Sequence, residues 1–239
     1  MSSANTKADP REWREWPCLA RRGFLTTFCV GGLAGCVTLP VRRSVSEAYV
    51  SRSIREGKEF DPSIIYRRTA DAGIDIPAVN YRKLPPELLR QRVAAPAGAS
   101  PSTILVRLSE CHLYLICDDG TAIRYGIAVG REGFAWSGAG TIGRKETWPA
   151  WTPPPEMIVR MPELAAYRDG MPGGPANPLG ARALYIYQSG QDTLYRIHGT
   201  PEWWTIGHAT SSGCLRMLNQ DVVDLYSRVA IANPVRVAF

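Results

Sequence analysis

Residues 103–130 read T-I-L-V-R-L-S-E-C-H-L-Y-L-I-C-D-D-G-T-A-I-R-Y-G-I-A-V-G, and this pattern decides the class of fold. Two runs of branched and aromatic residues, 103–108 and 112–117, flank a turn at Ser109-Glu110. Asp118-Asp119-Gly120 is a hairpin turn, and 122–130 supplies a third strand. Further along, 183–187 and 194–198 read as strands separated by S-G-Q-D, and 234–239 reads as the last. The spacing of Val222, Val223, Leu225, Tyr226 and Val229 predicts one clear helix over 219–229, with Asn219 as its N-cap. Many short strands with one or two short helices predict a mainly β, β-sandwich-like domain. Upstream, A-A-P-A-G-A-S-P (94–101) reads as a linker, which places the domain at 101–239 and a tether and N-terminal extension at 36–100. Within that extension, 84–93 reads as a short helix with Pro86 in its first turn.

Between Arg144 and Gly180 the pattern stops. Eight prolines fall in residues 149–178, and the run W-P-A-W-T-P-P-P opens the segment. A long loop inside a compact domain is usually functional, and this one is stiff enough to form a wall or lid. Residues 157–159 and 162–167 add at most a short helical turn. The chain is 45% hydrophobic, enough for a sizeable core, and its net charge is +6. The basic residues are spread along the sequence without a run, so nucleic acid is not an expected partner. An acidic polymer such as a bacterial cell wall fits the charge equally well.

The first 35 residues read as an export signal. A polar segment ends in Arg21-Arg22, and an uncharged run follows over 23–35. Thirteen residues at about 1.5 Å each fall short of a roughly 30 Å bilayer core. Arg21-Arg22-Gly23-Phe24-Leu25 resembles the twin-arginine motif, although Ala20 and Thr26 depart from its usual flanks. Leu33-Ala34-Gly35-Cys36 resembles the bacterial lipobox, which implies lipidation at Cys36 and a membrane anchor that does not span. Val37 in place of an aspartate leans the localisation towards the outer membrane, facing the periplasm. Cleavage there leaves Cys36, Cys111, Cys117 and Cys214. Cys111 and Cys117 fall on one strand, about 20 Å apart, too far to bond to each other. Both are expected to be buried small apolar residues.

Chemistry concentrates in H-G-T-P-E-W-W-T-I-G-H-A-T-S-S-G-C-L-R-M, residues 198–217. A cysteine needs only a nearby base or positive charge to bring its pKa below roughly 8.5. His198 ends a strand, and Cys214 follows a Ser211-Ser212-Gly213 turn whose N–H groups can form an oxyanion hole at Gly213 and Cys214. Each such donor is typically worth about 2.7–4 kcal/mol in acyl transfer. Arg216 follows two residues later. Trp136, Trp148, Trp151, Trp203 and Trp204 fall in nearby loops and are candidates to line a groove, as Arg182 and Arg196 are to steer an acidic substrate.

The blocks H-G-T, I-G and S-S-G-C-L-R-M resemble the signature of the YkuD-type L,D-transpeptidase catalytic domain family. Y-G-I-A-V-G, W-P-A-W-T-P-P and N-P-L-G-A-R-A-L-Y extend the likeness over roughly 101–239. The resemblance implies a β-sandwich-like fold and a cysteine acyl-enzyme formed on peptidoglycan stem peptides, with no cofactor and no metal. It makes Cys214 the nucleophile and His198 the proton donor and acceptor. It places the oxyanion hole at Gly213 and Cys214, and substrate contacts at Arg216 and Ser212. Many family members carry a second histidine where Ser212 stands, and His208 is the one nearby substitute. The implied acceptor is an amine: another stem peptide, giving a 3–3 cross-link, or a protein. Water in its place would make the chain an L,D-carboxypeptidase, and loss of chemistry would leave a wall-binding lipoprotein.

Overall fold

The computed structural model describes residues 60–130, 136–210 and 214–239. The export signal, Cys36, Ser212 and Gly213 lie outside the described residues.

The mainly β architecture expected from the sequence is what the chain adopts. After a one-turn helix α1 (Pro62–Ile65), a two-stranded ribbon pairs β1 (Thr69–Asp71) with β2 (Ile74–Ile76). All remaining strands belong to one sheet: β3 (Gln91–Ala94), β4 (Ile104–Arg107), β5 (His112–Ile116), β6 (Thr121–Gly130), β7 (Gly138–Thr147), β8 (Arg182–Gln188), β9 (Gln191–Thr200), β10 (Ala209–Thr210), β11 (Leu215–Leu218) and β12 (Pro234–Ala238). The sheet closes on itself. From β6 the pairings run β11, β9, β8, β7, β12, β4 and β5, and β5 returns to β6. Closure leaves few exposed strand edges. Ile104, Val106, Ile123, Tyr125, Ile127, Ile142, Leu184, Ile186, Ile197, Leu215 and Met217 fill the interior.

Of the two longer helices, only the later one packs on the sheet. α2 (Pro155–Arg160) lies in the proline-rich segment and is followed by a 3₁₀ turn over Pro162–Tyr167. α3 (Asn219–Arg228) follows β11 directly and buries Val222 and Leu225. Asn219 is not its cap. The cap position is Leu218, with no side-chain cap bond. Asn219 turns inward, and its Oδ1 accepts from Ala181 N at 2.9 Å.

The sequence predicts no strand at β7, whose G-A-G-T-I-G-R-K-E-T is glycine-rich and charged. Its glycines answer a close approach. A Cβ on Gly140 would lie 2.6 Å from the Tyr187 carbonyl oxygen, and one on Gly143 would overlap the Tyr187 ring. The helix expected over 84–93 is instead a 3₁₀ turn at Pro86–Leu88 leading into β3, which pairs with the first half of β6. Cys111 is fully buried, as expected, whereas Cys117 is only half-buried.

Residues 60–95 pack closely on this sheet. Arg90, 8% exposed, lies 2.7 Å from Asp224 and 3.1 Å from Asp221, both on α3. The longer contact is a charge contact, because Arg90 Nε is not aligned to donate. Tyr66 donates to Asp221 and accepts from Arg90 N at 2.8 Å, while Tyr125 donates to Asp224 at 2.7 Å. Burial dominates at Asp221 and pushes its pKa up to about 6 despite Arg90. At the other end Asp71 takes both arms of Arg182, at 2.6 and 2.7 Å, and the Trp148 indole N–H at 2.8 Å.

Candidate active site

β9 and β11 run side by side and parallel, with Ile197 opposite Leu215 and His198 opposite Arg216. Side chains alternate along a strand, so Ile197, Leu215 and Met217 enter the core. His198 and Arg216 therefore share the other face. Cys214 stands immediately before β11, half-buried, and its carbonyl accepts from Gly130 N at 3.1 Å. Strand pairing thus brings together residues sixteen positions apart.

The loop between them is held from below. Gly207 N donates to Ile127 O at 3.0 Å and Val129 N to His208 O at 3.2 Å. β10 then runs along one edge of β6 and β11 along the other, meeting at Val129. Leu88 of the N-terminal segment is wedged underneath. A Cβ on Gly126 would overlap the Leu88 carbonyl, and one on Gly207, which has φ +87°, would overlap the Leu88 side chain.

His198 is 4% exposed, and its Nδ1 lies 2.7 Å from the Gly199 carbonyl oxygen. A carbonyl only accepts, so Nδ1 carries the proton and Nε2 keeps its lone pair. Burial lowers the His198 pKa to about 4; the Gly199 carbonyl opposes this, and the Arg216 and Arg196 charges add to it. His198 is therefore a neutral base at neutral pH. The acylation rate of Cys214 should stay level as pH falls from about 7 to about 5, declining only near the lowered pKa. Replacing Arg216 by glutamine removes one of the lowering charges and should move that acid limb upward. A wild-type limb centred at the ordinary histidine value would contradict the buried base. Stability follows the same sign. The unfolded chain binds this proton near 6.5 and the folded chain near about 4, so stability is lost as pH falls through that window.

These features match a family. The model of the L,D-transpeptidase catalytic domain family, YkuD, matches residues 101–237. The chain belongs to that family. It is 34% identical over 143 residues to the probable L,D-transpeptidase ErfK/SrfK of Escherichia coli (strain K12), covering 56% of this chain and 43% of that protein. It is 36% identical over 102 residues to the probable L,D-transpeptidase YbiS of the same strain, covering 40% and 30%. The chain thus spans less than half the length of these curated relatives. A crystal structure from Brucella melitensis, described as a probable carnitine operon oxidoreductase, is 47% identical and covers 63% of this chain and 94% of that one. Its TM-score is 0.45.

Within this L,D-transpeptidase domain the remaining candidates separate. Arg216 Nη1 meets the carboxylate of Glu202 at 2.8 Å, so a residue of H-G-T-P-E, unmarked by the sequence reading, holds it. The Cys214 thiol points at the Leu194 carbonyl oxygen, 3.5 Å away. Leu194 has φ +65° in an irregular stretch of β9, where Asp192 and Thr193 side chains bond the N–H groups of Leu194 and Tyr195. Trp136 stacks on Tyr195 at 5.1 Å, and Trp203 meets Trp204 edge-on at 5.9 Å with Trp204 exposed. Trp148 and Arg182 are instead buried against Asp71 and are not available to substrate. Trp151 forms a bridge to Met171 inside the proline-rich segment, which Asn177 organises by donating to the carbonyls of Pro149, Met171 and Pro172. Arg196 pairs with Asp192 at 3.0 Å. His208 is exposed.

Proposed function

We propose that this chain is an L,D-transpeptidase acting on peptidoglycan stem peptides through a Cys214 acyl-enzyme. The supporting observation is the tautomer of His198: the Gly199 carbonyl holds the proton at Nδ1, so Nε2 is the basic atom beside the cysteine strand. In the first half-reaction Nε2 takes the thiol proton as Sγ attacks the carbonyl that joins a diamino-acid L-centre to D-alanine. The tetrahedral oxyanion collapses, the C–N bond breaks, and Nε2 returns the proton to the leaving amine. In the second, an acceptor amine attacks the thioester and Nε2 takes its proton; the C–S bond then breaks, and Nε2 returns that proton to Sγ, which leaves as the thiol. The backbone N–H groups of Gly213 and Cys214 are assigned to the oxyanion, Ser212 and the Glu202-held Arg216 to substrate contacts. Trp136, Tyr195 and the Trp203–Trp204 pair flank the approach.

The acceptor is another stem peptide or a protein amine. The enzyme works in the periplasm, tethered by lipid on Cys36, with the outer membrane favoured. Intact-mass measurement after incubation with a carbapenem is the test. One adduct on the wild type and none on Cys214→Ala supports the reading; equal labelling of both, or none on the wild type, sinks it. Muropeptide profiles then separate the acceptors: 3–3 dimers require a stem amine, and tripeptides without dimers mean water.

A further inference from the structure

The carboxylate of Glu202 reaches the catalytic strands from the loop that follows β9. Glu202 N donates to Thr200 Oγ1 at 3.1 Å, and the Glu202 carbonyl accepts from Thr205 N at 3.0 Å and from Thr205 Oγ1 at 2.7 Å. This turn brings the side chain to β11, where Oε2 accepts from Arg216 Nη1 at 2.8 Å. Arg216 is the register partner of His198, and Cys214 stands two residues before it, about 7 Å along an extended chain. The Cys214 thiol meets β9 at the Leu194 carbonyl oxygen, 3.5 Å away. Cysteine, histidine and ion pair thus occupy neighbouring positions on two adjacent strands.

This pair is open where its neighbour is closed. Arg196, the other cation acting on His198, pairs with Asp192 at 3.0 Å, and both side chains lie on β9 and are mostly buried. Arg216 is likewise mostly buried, but Glu202 is half-exposed, so the carboxylate is the accessible end of its pair. Its second oxygen, Oε1, has no protein partner among the described residues. A lone ammonium arriving there meets a carboxylate whose charge Arg216 already offsets, and it gains little. An amine whose own carbon also carries a carboxylate is different. Its two charges lie side by side and antiparallel to those of the pair, ammonium at Glu202 and carboxylate towards Arg216. The side-chain amine of a protein lysine has the first charge and lacks the second.

We propose that Glu202 sets the specificity for the acceptor: with Arg216 it selects an amine whose carbon also bears a carboxylate over the side-chain amine of a protein lysine. The distal centre of a stem diamino acid and a free amino acid both offer that chemistry. The inference rests on the acyl-enzyme reading above and concerns its second half-reaction. The ammonium docks at Glu202 Oε1 and sheds one proton to solvent. The neutral amine attacks the thioester carbon and forms the C–N bond, and His198 Nε2 takes a second proton. The C–S bond then breaks, and Nε2 returns that proton to Sγ.

The test incubates the full chain at neutral pH with a stem tetrapeptide and equal concentrations of glycine and ethanolamine. These are small amines of similar basicity, and only glycine carries a carboxylate. Mass spectrometry counts the products of one thioester: the glycine adduct, the ethanolamine adduct, the tripeptide formed by water, and the stem dimer. Their ratios are blind to the acylation rate and to the amount of folded protein, so a merely structural role would leave them unmoved. The wild type is expected to favour glycine over ethanolamine on the order of tenfold. Arg216→Gln should reverse that preference, because an uncompensated Glu202 draws the ammonium and repels the carboxylate. Glu202→Gln should lower the glycine adduct against the tripeptide by about tenfold. Dimers that fall in step with the glycine adduct assign the stem's own centre as acceptor, and glycine adducts without dimers assign a free amino acid. Equal adducts in the wild type, tripeptide without any adduct, or unchanged ratios in Glu202→Gln overturn the role of Glu202. Carbapenem labelling of Cys214 is read separately on the wild type. Intact labelling with no discrimination between amines overturns this inference alone, whereas absent labelling overturns the acyl-enzyme reading and this inference with it.

Discussion

A His198→Ala variant is expected to lose carbapenem acylation of Cys214 by roughly 10²- to 10⁴-fold, the range a positioned general base supplies. On the proposed mechanism the loss should approach that of Cys214→Ala, because a nucleophile and its base act as one unit and their effects do not add. Three observations set the size. The imidazole is 4% exposed, so water does not readily take over its proton transfer. Its tautomer is fixed by the Gly199 carbonyl, leaving Nε2 unprotonated. Its pKa, lowered to about 4 chiefly by burial, keeps it a base at neutral pH. The one other histidine of the loop, His208, is exposed and carries no such fixed tautomer. His198→Gln controls for the cavity: it fills the space and can still donate to Gly199 O, but has no basic nitrogen. If His198→Ala retained more than about a tenth of the wild-type rate, less than 1.4 kcal/mol of barrier would rest on it, and His208 would inherit the role. Cys214→Ala with unchanged melting would show that the cysteine is not needed for folding.

The adjacency of the His198 strand and the Cys214 strand was legible in the sequence because it depends on local order: H-G-T at a strand end, S-S-G-C-L-R-M at the start of another. Strands with ordinary β chemistry, such as 112–116 and 183–187, were equally plain. What escaped was set by contacts distant in sequence. β7 carries Gly140 and Gly143 where its neighbour's Tyr187 leaves no room, a reason visible only once β8 lies alongside. Asn219 has the chemistry of an N-cap, yet the N–H of Ala181 claims its oxygen. Trp148 and Arg182 look like substrate residues in a loop and on a strand, until Asp71 arrives from more than seventy residues upstream and buries them. Charge pairing between remote residues has no period in the sequence. Glu202 illustrates the same limit, since its pairing with Arg216 depends on how the loop after β9 folds back.

Cutting the chain back to 101–239, the span that carries the family signature, is expected to give a protein that does not fold cooperatively at room temperature. The segment removed contributes more than a covering. It takes Arg90 from between Asp221 and Asp224, and removing one partner of a buried ion pair typically costs about 3–5 kcal/mol. It takes Tyr66 from Asp221, Asp71 from Arg182 and Trp148, and β3 from the edge of β6. It also takes Leu88, whose loss opens a cavity beneath Gly126 and Gly207, and core leucine truncations alone cost about 2–5 kcal/mol. Against a total of about 5–15 kcal/mol for a typical domain, these losses leave little or nothing. Circular dichroism and thermal melting of the 101–239 fragment beside a 60–239 fragment are the measurement. A sharp melt of the shorter chain within a few degrees of the longer one would show that the segment merely rests on the barrel. A graded test uses Arg90→Met in the intact chain. It removes the charge and keeps the length, so the carboxylates of Asp221 and Asp224 face each other without their shared cation. Melting should drop most above the raised Asp221 pKa of about 6, where both are ionised, and recover partly as pH falls and Asp221 takes up a proton.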